Sequence, residues 1–253
     1  DVCSSDLNWF WQMAQKAEAD DSGLWSFHTW PSSTVLDPSE IEIARGELDS
    51  RTFQQEYEAS FLDATGRVYW NFRRELHAAE ALSYDPKLPL VLCFDFNVAP
   101  GVCAVIQEFP TYRGSNPAVD VTKSVTCVID EVFCPTDSST ARISREIISR
   151  YGNHLGDVLC YGDASGGARH TSQVEGSDWS IVEKLLRPVF GRPRTRPGDG
   201  DFEIRVPNAN PRERVRINAV NSRLQSADGK VHLLVDPRAV HVVQDFEGVT
   251  YRA

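Results

Sequence analysis

The chain has 253 residues, 41% apolar and 25% charged, the composition of a folded globular protein rather than a disordered or fibrous one. Its longest apolar runs are strand-sized, which excludes a membrane-crossing helix of roughly 20 residues, and no secretory core lies near the start. A formal net charge of −10 argues against a nucleic-acid partner gripped by overall charge.

The first seven residues, Asp1 to Leu7, are what the string GAC GTG TGC TCT TCC GAT CT encodes, the end of a common sequencing-library adapter. They are expected to be an artefact at the edge of an assembled fragment, with a longer native protein behind it, so Cys3 and Asp6 are set aside. The remaining cysteines (Cys93, Cys103, Cys127, Cys134 and Cys160) form no C-x-x-C pair and sit mostly in apolar strand-like runs. They read as reduced, buried thiols of a cytosolic protein, not as a zinc site.

From Asn8 to about Leu76 the pattern is helical and irregular. Trp9, Phe10 and Met13 share helical spacing, and residues 25–34 read as extended. Asp37-Pro38-Ser39 opens a helix that runs to Arg45, with proline suited to the first turn. A second helix is predicted over 51–61, presenting Phe53, Tyr57, Ala59 and Phe61 along one side. After the punctuation of Pro86 and Pro89, three successive strands are predicted at 90–96, 102–109 and 125–133, the last rich in β-branched residues.

A helix follows over 138–151, with Ile143, Ile147, Ile148 and Tyr151 on one face and Asp137 or Ser138 as its cap. A strand at 158–162 is next, then helices at about 178–186 and 211–224, the second turning Val215, Ala219 and Val220 inward. A strand over 230–236 and a short helix near 238–245 complete the chain. Three antiparallel strands, a helix and a strand returning beside the first give an α/β fold in ribonuclease H-like (RuvC-like) order, a mixed five- or six-stranded sheet flanked by helices.

Asp95 closes the apolar run that begins at Leu88, and Asp163 closes the run that begins at Asp157; each is followed by turn residues. A carboxylate within a strand buried on both faces is costly unless neutralised, and a divalent cation is a fitting partner. Mg²⁺ takes one or two carboxylates and fills its shell with water and phosphate oxygens, so two strand-end aspartates point to phosphodiester chemistry. Each Asp also reads as an ordinary turn or helix cap. Between Arg187 and Arg223 lie nine Arg and no Lys, against Asp199, Asp201, Glu203 and Glu213, a local balance of +5. That stretch suits either a phosphate-gripping surface or a solvated face or subunit contact.

The strings Phe94-Asp-Phe-Asn-Val-Ala-Pro100, Val128-Ile-Asp-Glu131 and Tyr161-Gly-Asp-Ala-Ser-Gly-Gly-Ala-Arg-His-Thr-Ser172 resemble the C-terminal nuclease domain of the large terminase subunit of tailed bacteriophages. So do Ser177-Asp-Trp179, Ile217-Asn-Ala-Val-Asn221, Asp228-Gly229 and Leu233-Leu-Val-Asp-Pro237. Upstream, Asn8-Trp-Phe10 and Phe53-Gln-Gln-Glu-Tyr57 resemble the tail of the family's packaging ATPase. The resemblance thus implies an ATPase remnant and linker over 8–85, and a nuclease domain over 86–253 that stops before the family's late His-x-x-Asp acid.

It further implies that Asp95 and Asp163 are catalytic metal-binding carboxylates, with Glu131 near them, and that Arg169, Thr171 and Ser172 hold the strand being cut. Glu131 and Arg169 also read as salt-bridge residues, and Thr171 and Ser172 as turn residues. Asp236 matches the family's Val-Asp-Pro turn, and neither it nor Asp245 is assigned to metal. Arg194 and Arg196 are candidates for gripping DNA. The implied activity is two-metal hydrolysis of concatemeric double-stranded viral DNA with Mg²⁺, Mn²⁺ substituting, in the cytoplasm of an infected bacterium. The portal and small terminase subunit are the implied partners. ATP would belong to a missing N-terminal portion, since this chain has no G-x-x-x-x-G-K-[ST]. Three alternatives stand beside this one: another ribonuclease H-like nuclease such as a junction resolvase; an actin-like or sugar-kinase ATPase, which would need glycine-rich phosphate loops after its first hairpin that this sequence lacks; and a prophage remnant that binds DNA or portal without cutting.

Overall fold

Local capping chemistry starts several helices in the computed structural model, which describes residues 13–60, 66–96, 99–136, 138–164, 177–191 and 200–251. Asp37 caps α1 (Pro38–Glu47) by accepting from Ser39 N at 2.8 Å, with proline in the first turn as the sequence predicts. Asp49 likewise caps α2 (Ser50–Tyr57), accepting from the amides of Arg51 and Thr52. Then follow α3 (Arg74–His77), β1 (Leu90–Asp95), β2 (Gly101–Phe109), β3 (Val125–Cys134) and α4 (Thr140–Tyr151). The chain continues through β4 (Val158–Gly162), α5 (Asp178–Phe190), β5 (Phe202–Ile204), α6 (Glu213–Leu224), β6 (Leu233–Val235) and α7 (Val240–Gly248).

These elements form two compact units, each discontinuous in sequence: residues 1–72, 211–231 and 246–253 in one, 73–210 and 232–245 in the other. In the first, Ile41, Ala44 and Phe53 make an apolar cluster flanked by Leu48, Tyr57 and Ala227. Residues 25–34 do not form a strand. Thr34 instead folds back on Pro31, donating to its carbonyl from both N and Oγ1, and a single 3₁₀ turn spans Ser32–Thr34.

Helix α6 is rotated from its expected phase: Ile217, Asn221 and Leu224 are buried, whereas Val215 is 59% exposed. The buried stripe contains a polar residue, which is why apolar periodicity misplaced it. Asn221, fully buried, donates to Val68 O at 3.0 Å and Ile217 O at 3.1 Å, while Asn71 N donates to its Oδ1. Asn221→Leu should therefore cost about 2–3 kcal/mol, because the buried Val68 carbonyl loses its donor. Urea unfolding followed by a probe in this unit would read the loss, and an unchanged midpoint would refute it.

The second unit is built on one six-stranded sheet in the order β5-β4-β1-β2-β3-β6. Strands β1, β2 and β3 form an antiparallel meander, and β4 returns parallel beside β1, as the sequence predicts. The β5 strand, parallel to β4, was not expected: three residues in an Arg-, Gly- and Pro-rich region carry no periodic signal. Strand β6 begins three residues later than expected because Ser226 N donates to Lys230 O and closes a turn there.

One face of the sheet is covered by α4 and α5. Ser139 caps α4 rather than Ser138, and Asp137 lies outside the described residues. Ile143 and Ile147 of α4, Val182 and Leu186 of α5, and Leu90, Leu92, Val158 and Cys160 of the strands are all essentially buried. The five described cysteines are free thiols, and burial pushes Cys93 up to about 11 and Cys127 up to about 12.

Candidate functional site at the ends of parallel strands

The sheet register determines which chemically useful side chains share a face. Residues directly opposite in neighbouring strands point the same way. Asp95 pairs with Val102, which pairs with Phe133, and Cys93 pairs with Ala104, which pairs with Glu131. On the other side of β1, Cys93 pairs with Tyr161 and Phe94 with Gly162. Asp95 and Asp163 therefore follow the last registered pair, side by side at the carboxyl ends of two adjacent parallel strands, about 4.8 Å apart by strand spacing. Crevices beyond the carboxyl ends of strands are where open α/β sheets bind ligands.

A bulge places Glu131 on this face as well. Val105 pairs with Asp130 but Ile106 with Val128, so Ile129 is an extra residue in β3. An unbroken register would set Asp130 opposite Ala104 and send Glu131 to the other face. As it is, Asp130 turns toward α4, where Arg150 Nη1 reaches it at 2.9 Å and Tyr151 Oη at 2.8 Å.

Packing fixes the end of β4. Trp179, the second residue of α5, donates from Nε1 to Asp163 O at 3.0 Å and meets Phe94 and Phe96 edge-on. Gly162 makes room for it, since a Cβ there would lie 2.9 Å from the Trp179 ring and 2.6 Å from Phe94 O. Ala164 N donates to Asn210 Oδ1 at 2.9 Å, holding the first residue past Asp163.

Both aspartates are exposed, contrary to the sequence argument that a carboxylate here would be buried and need neutralising. β1 and β4 end at the surface, so water solvates the charges and burial alone does not call for a cation. The donor set still fits Mg²⁺ or Mn²⁺, which take one or two carboxylates and complete an octahedron with water. Among the described residues no three His, Cys, Asp or Glu side chains converge in a metal-holding group.

Glu131 is placed differently from the two aspartates. It is buried, and its carboxylate accepts from His241 N at 3.0 Å and Val242 N at 2.9 Å, the first-turn amides of α7. His241 Nδ1 lies 2.6 Å from the same carboxylate, and its ring stacks on Phe133 with centroids 3.4 Å apart. Four residues on, the exposed Asp245 has its carboxyl pushed up by partial desolvation and by the charges of Glu131 and Asp95, with His241 opposing. His241 carries no role in the sequence pattern, although His241 and Asp245 at i and i+4 on one helix are a usable signal.

Asp236 is a structural residue, in keeping with its turn position. Fully buried, it accepts from Leu82 N at 2.7 Å and from Arg238 at N, Nε and Nη2. Arg169, Thr171, Ser172, Arg194 and Arg196 lie outside the described residues. Elsewhere in the arginine-rich stretch, Arg187 pairs with Glu183 at 2.6 Å and Arg205 with Glu203 at 2.7 Å, so part of its positive charge is locally compensated.

The fold so described is a mixed α/β unit with a six-stranded sheet flanked by helices, and it is similar to solved large terminases. No protein-family model matches the sequence, and no curated protein does. The large terminase of the thermophilic bacteriophage D6E in complex with ATP-gamma-S superposes with a TM-score of 0.55 at 13% identity, over 86% of this chain and 46% of that one. Two further structures of the same terminase, in crystal forms 3 and 2, give TM-scores of 0.52 and 0.53 at 10% and 11% identity. They cover 86% and 87% of this chain, and 46% and 45% of theirs. At such identities the likeness is one of fold, and the chain spans less than half the length of those terminases.

Proposed function

We propose that the chain is the nuclease portion of a phage large terminase, a ribonuclease H-like unit that cuts concatemeric double-stranded DNA during genome packaging. The observation that carries this reading is the pairing of Asp95 with Asp163 at adjacent strand ends, in a fold that superposes on large terminases. Asp95 and Asp163 would hold a divalent ion, Mg²⁺ or Mn²⁺. Such an ion, when bound, lowers the pKa of a water and stabilises charge on the leaving oxygen.

The protein's own part is orientation. The β1 and β4 backbones fix the two carboxylates in register, and the Trp179 bond to Asp163 O keeps the end of β4 in place. Arg169, Thr171 and Ser172 follow Asp163 within nine residues and are assigned to the phosphate backbone of the cut strand, with Arg194 and Arg196 on flanking duplex. Contacts of that kind position DNA without reading its bases, so cleavage is expected to be largely independent of sequence. The working partners on this reading are viral DNA, the portal and the small terminase subunit, in the cytoplasm of an infected host. ATP hydrolysis would belong to the portion of the terminases that this chain does not cover.

The test is incubation of the chain with supercoiled plasmid and Mn²⁺ or Mg²⁺. Nicking that appears with the ion and disappears with EDTA is the expected result. Salt-sensitive DNA binding without nicking would instead favour a remnant that binds but does not cut.

A further inference from the structure

We propose that one face of α6, the stripe of Arg212, Arg216, Ala219 and Arg223, binds the phosphate backbone of duplex DNA. The contact is electrostatic and needs no metal ion, so it goes beyond the nuclease reading and stands without it.

Helix phase creates the stripe. Asn221 is drawn inward to serve the carbonyls of Val68 and Ile217, and Ile217 and Leu224 are buried with it. At 3.6 residues per turn, positions 212, 216, 219 and 223 then fall within about 60° of arc on another side of the helix, over about 16 Å of its axis. Arg212, Arg216 and Ala219 are exposed and Arg223 is half-buried. The helix adds no acid to that arc, because Glu213, its one carboxylate, lies about 100° round from Arg212. Arg214 is turned away as well, with Nη2 donating to Gln55 Oε1 of α2 at 3.0 Å.

Pairing distinguishes these arginines from others in the chain. On a protein of formal charge −10, Arg150 is neutralised by Asp130 and Glu146, Arg187 by Glu183, Arg205 by Glu203 and Arg238 by Asp236. Among the described residues, Arg212 and Arg216 have no such partner. Like charges one helical turn apart repel, so the arrangement is unfavourable in the free protein and is relieved by a polyanion. The guanidinium fork matches phosphate with two parallel N–H donors. Duplex DNA carries a charge about every 1.7 Å of axis, so a stripe of this length faces several phosphates whatever the bases.

The test is fluorescence anisotropy of the full chain on two labelled duplexes of different sequence, in EDTA, over a series of KCl concentrations. Combining Arg212→Gln with Arg216→Gln should weaken binding to both duplexes alike, by about tenfold or more at about 0.1 M salt. The slope of log affinity against log salt should flatten by about 2, roughly one for each lost phosphate contact. Arg187→Gln with Arg205→Gln removes the same total charge from paired arginines and should leave the slope unchanged. Ala219→Glu sets a carboxylate in the middle of the stripe, keeps both arginines, and should also weaken binding. It decides the matter alone if the Arg212 and Arg216 double variant does not fold. No binding by the wild type in EDTA, an unchanged slope in the Arg212 and Arg216 variant, or an equal loss in the Arg187 and Arg205 variant would overturn the proposal. Unchanged DNA binding with loss of an acidic protein partner would overturn it too, assigning the face to that partner. Nicking with Mn²⁺ is scored separately, so the two readings fail separately.

Discussion

Asp95→Asn and Asp163→Asn should each lower metal-dependent nicking at least about a hundredfold. Removing a residue that only supports a ligand costs about 10- to 100-fold, and removing the ligand should cost no less. Asparagine keeps the size of the side chain but withdraws the charge on which a hard divalent ion depends. Both side chains are exposed at strand ends, so the melting temperature should move by no more than about 2 °C, as for ordinary surface substitutions. An Asp95→Asn protein that nicks at the wild-type rate would remove Asp95 from the proposed chemistry, and the same holds independently for Asp163.

The largest stability effect is expected at Asp236. Its burial alone would raise the carboxyl, but bonds from the Arg238 side chain and amide and from Leu82 N outweigh this and hold it below the ordinary value of 3.8. A depressed folded-state pKa contributes stability that is complete above the unfolded value and fades as Asp236 protonates below it. Asp236→Asn should therefore cost about 2–4 kcal/mol at neutral pH, since the buried acceptor of Leu82 N loses its charge and half its capacity. For a unit of this size that is about 4–16 °C in melting temperature. The gap between wild type and variant should close as the pH drops below 3.8, because the wild type then loses the same interaction. A gap that stays constant from neutral pH down to pH 2 would mean that the charge is not what stabilises the turn. Neither outcome bears on nicking, which makes Asp236→Asn a useful control for variants at the strand ends.

Much of the sheet was legible in the sequence for a simple reason. Buried central strands such as β1 and β3 need runs of Val, Leu, Ile, Cys and Phe, and these runs end where Gly, Pro, Asn and Ser take over. The helices were readable where capping and apolar spacing agree: Asp37 before Pro38 marks α1, and Ile143, Ile147 and Tyr151 mark the buried side of α4. Legibility failed where polar groups fill interior positions. Asn221 is buried because it serves the carbonyls of Val68 and Ile217, and no hydrophobic pattern points to it. It failed also at β5, too short to show a period.

At the candidate site, composition and local pattern alone determined that two aspartates end apolar strands and that Glu131 follows an Asp in a third. They could not determine which of Asp130 and Glu131 joins the face of Asp95, because side chains alternate and a single residue inverts the choice. The extra residue at Ile129 makes it, by sending Asp130 to Arg150 and Tyr151 and Glu131 to α7. Nor could the sequence show that both strand-end carboxylates stand in water, since exposure depends on where neighbouring strands stop. Strand termini are local properties, written in residue types; the face a side chain occupies and the solvent it meets are set by register and packing between segments far apart in the chain.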